Sequence, residues 1–308
     1  MNILVTGGSG FIGRNIVKIL KEEGNTVGTY DIKDKNSGSD YHIMSDVRNL
    51  KMLEKACSGI DYVFHLAAVT SPPEFEKLTG EGYEVNVMGT YNVLAASAEN
   101  NVKRVILASS SSVYGNIKRE AVETQLPDSY SNFYPMTKRV NEMTAKLISK
   151  YGLETISLRY FNTYGVGENS KGEYSSVIWK FIDAIRNNKK PTIFGDGKQS
   201  RDFIYVEDTA RASILAMKNG TPGEAYNVGT GRTTDFNTIF QIVKEEMGYQ
   251  GAAEYLPNPL NSYQMFTLAD VKKAKEELKF ESKYTVRDGV REIVKRISDT
   301  TGKSSKST

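Results

Sequence analysis

One cysteine, Cys57, and two histidines, His42 and His65, are all the thiol and imidazole groups that the 308 residues hold. A lone thiol cannot close an internal disulfide or build a cysteine-based zinc site. No metal centre is expected, and a Ser-His-Asp arrangement would have to use one of only two imidazoles. Basic runs are missing as well. The formal charge is +3, and the pairs Lys189–Lys190 and Lys272–Lys273 read as solvated loop and helix surface. A nucleic-acid partner is therefore not expected. No apolar run approaches the ~20 residues that cross a bilayer, so no membrane association is expected. Met1-Asn-Ile-Leu-Val5 enters a strand directly, without a signal peptide, and a cytoplasmic location is the expectation.

What the chain does have is alternation. Strand-like segments at 3–6, 26–31, 61–67, 102–109 and 155–159 are separated by helix-like ones at 11–23, 50–56, 85–99 and 135–151. In the first of these helices Ile12, Ile16, Ile19 and Leu20 recur at helical spacing. This order predicts the α/β class, with a Rossmann doubly wound parallel sheet. Beyond Asn162 the texture changes: Gly165, Gly167 and Gly172 cluster, and helices at 177–187 and 206–217 precede a strand at 225–228. Residues 1–162 read as a cofactor-binding domain. Residues 163–298 read as a smaller, mixed α/β and mainly substrate-binding domain, with some segments returning to the first sheet. Residues 299–308, all polar or glycine, read as a disordered tail.

Between the first strand and the first helix lies Thr6-Gly-Gly-Ser-Gly-Phe-Ile-Gly13. Gly7, Gly10 and Gly13 permit a tight turn and a close backbone approach to a pyrophosphate. The N–H groups and dipole of the helix beginning at Phe11 and Ile12 then meet its charge. Asp31, at the end of the second strand, stands at the distance in sequence where a carboxylate accepts from a ribose diol and repels a 2′-phosphate. NAD is thus favoured over NADP, although Lys33 and Lys35 are cations near enough to serve the latter.

Tyr134 and Lys138 are four residues apart, hence on one face of a helix. A free phenol, with a pKa of ~10, is a poor base; bringing it to ~7 needs ~4 kcal/mol of differential stabilisation, which two cations, Lys138 and an oxidised nicotinamide, are expected to provide. A serine cluster, Ser109 to Ser112, closes the fifth strand, and strand C-termini are where ligands collect in an open parallel sheet. A serine hydroxyl there is a candidate to hydrogen-bond a bound ligand, while Ser111 and Ser112 read better as turn caps. Pro135 directly follows the tyrosine and disfavours helical geometry at Tyr134, so the helix could begin close enough to disturb its alignment with Lys138.

Taken with His65-Leu-Ala-Ala68, Asn86-Val-Met-Gly-Thr90, Val113-Tyr-Gly115, Arg159-Tyr-Phe-Asn162 and Arg201-Asp-Phe-Ile-Tyr-Val-Glu-Asp208, these motifs resemble the extended short-chain dehydrogenase/reductase family over nearly the whole chain. Within it the chain looks most like the UDP-glucose 4-epimerases and their relatives acting on N-acetylhexosamines. The resemblance implies Tyr134 as acid/base, Lys138 as its electrostatic partner and nicotinamide-ribose ligand, and Ser110 at the sugar oxygen. It implies Asp46 and Val47 at adenine, and Leu66, Ala67, Ala68, Asn86, Ser109 and Tyr160 around the cofactor. Asn162, Lys171, Val177, Arg201 and Tyr263 are implied on the substrate side. For Arg201 a salt bridge to Asp202 or Asp208 is the competing reading. The resemblance also implies a homodimer built on the helices at 85–99 and 135–151, where Tyr91, Leu94, Met143 and Leu147 suit either core or interface.

The related 4,6-dehydratases carry an Asp-Glu pair where Ser111 and Ser112 stand here, and the related decarboxylases a Glu where Ser112 stands. Without that extra acid, inversion through a 4-keto sugar with transient hydride transfer to bound NAD is the expected chemistry. Two alternatives stay open. ADP-heptose 6-epimerases look similar around Asn162 and Lys171 and near Tyr263. A non-catalytic NAD sensor would keep the glycine loop but have no use for Ser110, Tyr134 and Lys138.

Overall fold

The computed structural model describes residues 1–304 apart from 35, 36, 71, 128, 131 and 259–263. Its first strand, β1 (Asn2–Thr6), buries Ile3, Leu4 and Val5 completely. Consecutive apolar residues buried on both faces require helices above and below, which is the signature of a parallel sheet. The chain supplies them in turn: α1 (Phe11–Glu22), β2 (Thr26–Asp31), β3 (Tyr41–Met44), α2 (Leu50–Cys57), β4 (Tyr62–His65), α3 (Pro72–Lys77), α4 (Thr79–Tyr83), α5 (Thr90–Glu99), β5 (Arg104–Ser110), α6 (Phe133–Ser149) and β6 (Glu154–Tyr160). A π-helical turn, Glu84–Gly89, joins α4 to α5, so this helical run starts earlier than its apolar pattern suggests.

The second half contributes β7 (Asn162–Tyr164), α7 (Val177–Arg186), β8 (Thr192–Phe194), β9 (Ser200–Arg201), β10 (Phe203–Tyr205), α8 (Val206–Asn219), β11 (Ala225–Val228), β12 (Thr234–Asp235), α9 (Phe236–Glu246), β13 (Glu254–Leu256) and α10 (Val286–Ser304). Seven strands form one sheet in the order β11-β6-β5-β4-β1-β2-β3, every pair parallel. The outermost strand, β11, comes from the second half of the chain and pairs with β6. The other strands of that half form three two-stranded sheets: β7 with β10, β9 with β12, and β8 with β13.

Packing follows the pattern. On one face Ile16, Val17 and Leu20 of α1 and Ala212, Ala216 and Met217 of α8 close over the sheet. On the other, Leu53 and Cys57 of α2, Val93 and Leu94 of α5 and Ala145 of α6 do so. A separate core gathers Ile178, Phe181 and Ile182 of α7, Ile239 and Val243 of α9, and Val290 and Ile293 of α10.

Helix α10 continues through residues 299–304, because it is nucleated far upstream and propagation adds a hydrogen bond for each further residue. Thr285 and Asp288 form a reciprocal capping box at its start, Thr285 N–H to Asp288 Oδ2 at 3.1 Å and Asp288 N–H to Thr285 Oγ1 at 3.2 Å. Arg287 and Arg291 tie the helix to Glu246. Residues 305–308 lie outside the described residues.

Replacing Ile106, 1% exposed in the middle of β5, by alanine is expected to cost ~2–5 kcal/mol, through lost burial and the cavity left behind. The check is a lower urea midpoint at unchanged slope. Met44→Ala, on an edge strand and exposed, is the control and should stay within about 0.5 kcal/mol of wild type.

Candidate active site

All seven parallel strands end on the same edge, and the strand order reverses between β1 and β4. The crevice outside such a switch point is where open α/β sheets take ligands. The glycine loop fills it. Gly7 is left-handed at φ 69°, and a Cβ there would stand 2.7 Å from the Ala67 nitrogen. A Cβ on Gly13 would lie 2.3 Å from the Gly7 carbonyl oxygen. Backbone is thus pressed against backbone, and no side chain other than hydrogen fits. Gly10 caps α1 without a side-chain acceptor, which suits the first-turn N–H groups to an anion. Phe11 is buried beneath the loop, and Ile12 packs half-buried on the sheet.

Asp31 is buried beside this loop, accepting from the Ser9 N–H and the Lys33 N–H, each at 3.0 Å. Two backbone donors leave carboxylate lone pairs for a diol. The cradle and its acidic neighbour therefore fit a dinucleotide with an unphosphorylated ribose. Lys35 lies outside the described residues.

Asp46, Val47, Ser109 and Tyr160 are held by neighbouring protein groups. The Asp46 carboxylate is committed to Arg48, which donates from its backbone N–H at 2.8 Å, Nε at 3.1 Å and Nη2 at 2.7 Å; Val47 beside it is buried against Gly89. Ser109 points its hydroxyl away from the crevice, donating to Glu142 Oε1 at 2.6 Å. The Tyr160 hydroxyl meets Ser213 of α8 at 2.8 Å on the far face. Leu66, Ala67 and Ala68 form the half-buried loop after β4. Asn86 braces that loop: its side chain accepts from the Val69 N–H at 2.8 Å and donates to the Val69 carbonyl at 3.0 Å.

Helix α6 begins at Phe133, after Asn132 in extended backbone (φ −154°, ψ 170°). Pro135 falls within the first turn, where its missing N–H has no helical partner to lose. The alignment survives. The Lys138 Nζ lies 5.9 Å from the Tyr134 ring centre and donates to the Ala108 carbonyl at 3.0 Å. Ser110 hydrogen-bonds the Tyr134 phenol, and its Oγ also accepts the Ser112 N–H at 3.1 Å. The turn is therefore capped by Ser110 itself rather than by Ser111 or Ser112. Phe75 packs edge-on to Tyr134, with ring centres 6.4 Å apart.

Burial dominates the electrostatics of this pocket in the chain without its cofactor. Burial pushes the Tyr134 phenol up to about 12, against the Ser110 hydrogen bond, and the Glu74 carboxylate adds to the rise. Burial also brings the Lys138 ammonium down to about 8, partly offset by Glu142. The chain alone therefore disfavours both charged forms. His65, buried between Thr6 and Thr90 at 2.7 and 2.9 Å, is held neutral with a pKa of about 3, by burial first and by Lys138 second.

On the substrate side, Asn162 donates to the Asp202 carbonyl at 3.1 Å and to Thr267 Oγ1 at 2.9 Å. Lys171 pairs with buried Glu168 at 3.0 Å and lies 5.4 Å over the Phe11 ring, which brings it to the first turn of α1. Val177 opens α7. Buried Arg201 stacks on Phe236 at 5.7 Å and donates to the Ser200 carbonyl. Of the acids weighed as its partners, Asp208 pairs with Arg211, and Asp202 accepts from Thr230, Gly231 and Ala269. Tyr263 lies outside the described residues. Sequence reasoning missed Glu142, Glu168 and Asp202. Only Glu142 carried a signal, an acid two turns after Tyr134 on the same face of its helix. A cleft of about 810 Å³ at the opposite edge of the sheet is lined by Lys103, Arg104 and Glu154. Its charges are paired, Lys103 with Asp61 and Arg104 with Glu154.

Residues 3–229 match the model of the NAD dependent epimerase/dehydratase family. The chain belongs to this family. Among the family's members, a putative UDP-glucose 4-epimerase of Methanocaldococcus jannaschii is 35% identical over 302 residues, 95% of this chain and 97% of that protein. The solved UDP-glucose 4-epimerase of Thermotoga maritima, with UDP-glucose, has a TM-score of 0.91 at 32% identity and covers 98% of this chain and 100% of its own. A UDP-N-acetylglucosamine 4-epimerase from Methanobrevibacter ruminantium, in complex with UDP-N-acetylmuramic acid, has a TM-score of 0.90 at 32% identity, with coverages of 97% and 98%.

For this epimerase/dehydratase family member the glycine loop sets a direct test. Denaturing the purified protein should release NAD(H), identified by mass spectrometry, and Gly13→Val should abolish its retention, because the Cβ has no space beside the Gly7 carbonyl. NADP as the main species released would overturn the assignment of Asp31.

Proposed function

We propose that the chain is an NAD-dependent nucleotide-sugar 4-epimerase acting on UDP-glucose and UDP-galactose or their N-acetylhexosamine counterparts. The observation that carries this reading is the joining of Ser110, Tyr134 and Lys138 at one strand end, with Ser111 and Ser112 rather than acids beside them. With no further acid there to expel water or assist decarboxylation, inversion is the simplest use of the site. The 4-epimerases it resembles along nearly its whole length support the same chemistry.

In this reading residues 1–162 hold NAD, chiefly over Gly7 to Gly13 with Asp31 at its ribose, and residues 163–298 hold most of the substrate, with Asn162, Val177 and Arg201 toward the nucleotide. NAD supplies a reversible hydride acceptor for oxidation at C4. Tyr134 takes the proton of the C4 hydroxyl and returns it after the 4-keto sugar has turned over. Ser110 donates a hydrogen bond to the reacting oxygen. Lys138, fixed by the Ala108 carbonyl, holds a positive charge near the phenol. The bound cofactor's positive charge would lower the phenol pKa that burial alone raises. Lys171 is held by Glu168, which favours C4 over the C6 chemistry of heptose epimerases, where a lysine at that position works near the sugar. A sensor would not need a phenol hydrogen-bonded to a serine in a buried pocket.

The chain is also proposed to dimerise. Met136, Val140, Met143 and Leu147 recur at helical spacing on α6 and are exposed, as are Met88 and Tyr91 on the neighbouring run. Leu94 is fully buried and belongs to the core. A contiguous apolar face of this kind marks an interface. No helix among the described residues is long and apolar enough to cross a membrane.

Tyr134→Phe should lower kcat roughly 10²–10⁴-fold, because a positioned acid/base is lost, while NAD content and nucleotide-sugar binding persist. The assay is a panel of UDP-sugars followed by NMR; a variant keeping more than about a tenth of wild-type kcat would sink the mechanism. Light scattering should give twice the monomer mass, and Met143→Glu with Leu147→Glu should return the monomer by placing charge in the interface.

A further inference from the structure

Three of the motifs meet in a buried cluster beneath the candidate reacting groups. Glu142 stands one turn beyond Lys138 and two beyond Tyr134 on α6 and is 4% exposed. Its Oε1 accepts from Ser109 Oγ at 2.6 Å and Arg159 Nε at 2.9 Å; its Oε2 accepts from Arg159 Nη2 at 2.8 Å and Arg139 Nη1 at 3.0 Å. Arg159, 2% exposed on β6, also donates to the Tyr114 hydroxyl and the Glu123 carbonyl, each at 2.9 Å. The Tyr114 hydroxyl donates in turn to Asn227 Oδ1 of β11 at 2.6 Å. One ion pair thus ties α6 to β5, β6 and β11.

The attachment falls beside the candidate catalytic groups. Ala108, Ser109 and Ser110 are consecutive on β5: the first holds Lys138 through its carbonyl, the second holds Glu142, and the third meets the Tyr134 phenol. Three successive residues of the strand therefore meet the helix that carries the candidate base. A buried ion pair is a poor means of stabilisation, since apolar residues of similar volume often do as well. Placing this one between the helix and the strand end points to a role in the site.

We propose that Glu142, clamped by Arg159, is a positioning residue: it sets α6 against β5 so that Tyr134 meets Ser110, and it provides the negative charge facing the Lys138 ammonium. The inference rests on the epimerase reading for its kinetic part only. The charged and titratable groups around the pair come from every packed element: His65 on β4, Glu74 on α3, Tyr134 and Arg139 on α6, Arg159 on β6, and Tyr114, Glu123 and Tyr130 in the segment between β5 and α6. Among them Glu142 is the group that opposes the fall of the Lys138 pKa to about 8 caused by burial. Lys138 is an ammonium below that pH and loses its proton above it; without Glu142 that loss comes at lower pH.

Glu142→Gln alone leaves a buried guanidinium without its countercharge, so Glu142→Met with Arg159→Met, which removes both charges, is measured beside it. The expected result is a folded double variant with wild-type NAD content, unchanged KM, and kcat lowered roughly 10- to 100-fold through misplacement of the reacting groups. Heteronuclear NMR of isotope-labelled lysine should show Lys138 titrating at lower pH than in the wild type. A folded double variant with wild-type kcat, or with an undisplaced Lys138 titration, overturns the proposal. Should the double variant fail to fold, Ser109→Ala carries the test: lower kcat at unchanged KM supports the positioning role, and wild-type kcat overturns it. A wild-type protein inactive on every nucleotide sugar would refute the epimerase reading, and the displacement of the lysine titration would still decide this one.

Discussion

Parallel pairing is the constraint on which this structure depends. Because every strand of the central sheet runs the same way, every strand exit lies on one edge. The glycine loop leaves β1, Asp31 ends β2, Leu66 to Ala68 leave β4, and Ser110 ends β5. None of these residues would share a crevice in an antiparallel sheet of the same strands. The crossover helices follow from the same constraint, since parallel neighbours need a long return path. That return path is what lays Tyr134 and Lys138 of α6 over the end of β5.

The crevice is dry enough for desolvation to dominate its chemistry. Tyr134, Lys138 and His65 all shift toward their neutral forms, and burial is the largest cause for each. A site of this kind spends little on holding charge at rest, and it magnifies any charge that arrives. The hydrogen bonds around it accordingly serve alignment. His65 bridges Thr6 to Thr90, Asn86 braces the loop at Val69, and Asn141 donates to the Asn86 carbonyl at 2.8 Å.

Much of this was legible in the sequence where the signal is local. The glycine loop, Asp31, and the spacing of Tyr134 and Lys138 each lie within a short window governed by one strand–turn–helix geometry. The first strands and helices likewise fall within a residue or two of their apolar patterns. What escaped depends on contacts between distant segments. Strand β3 has only two half-buried residues and is a strand because Gly28 to Asp31 offer it an edge. Glu168 and Asp202 look like ordinary acids in the chain, and only folding surrounds them with donors. The partners of the Ser109 and Tyr160 hydroxyls, Glu142 and Ser213, likewise come from distant segments. Composition alone also does not show that a capped, packed helix leads into the C-terminal residues.

The position of β11 has a consequence for how the polypeptide is made. Strand β6 ends at Tyr160, yet its outer neighbour begins only at Ala225, after much of the second half has been synthesised. Until then the first half emerges from the ribosome with an unpaired, apolar edge, able to pair with another nascent chain. The Glu142–Arg159 pair reaches Asn227 only through that late strand. Completion of the sheet and completion of the network beneath Lys138 are therefore the same event in biosynthesis, and a nascent chain released before Ala225 would hold neither.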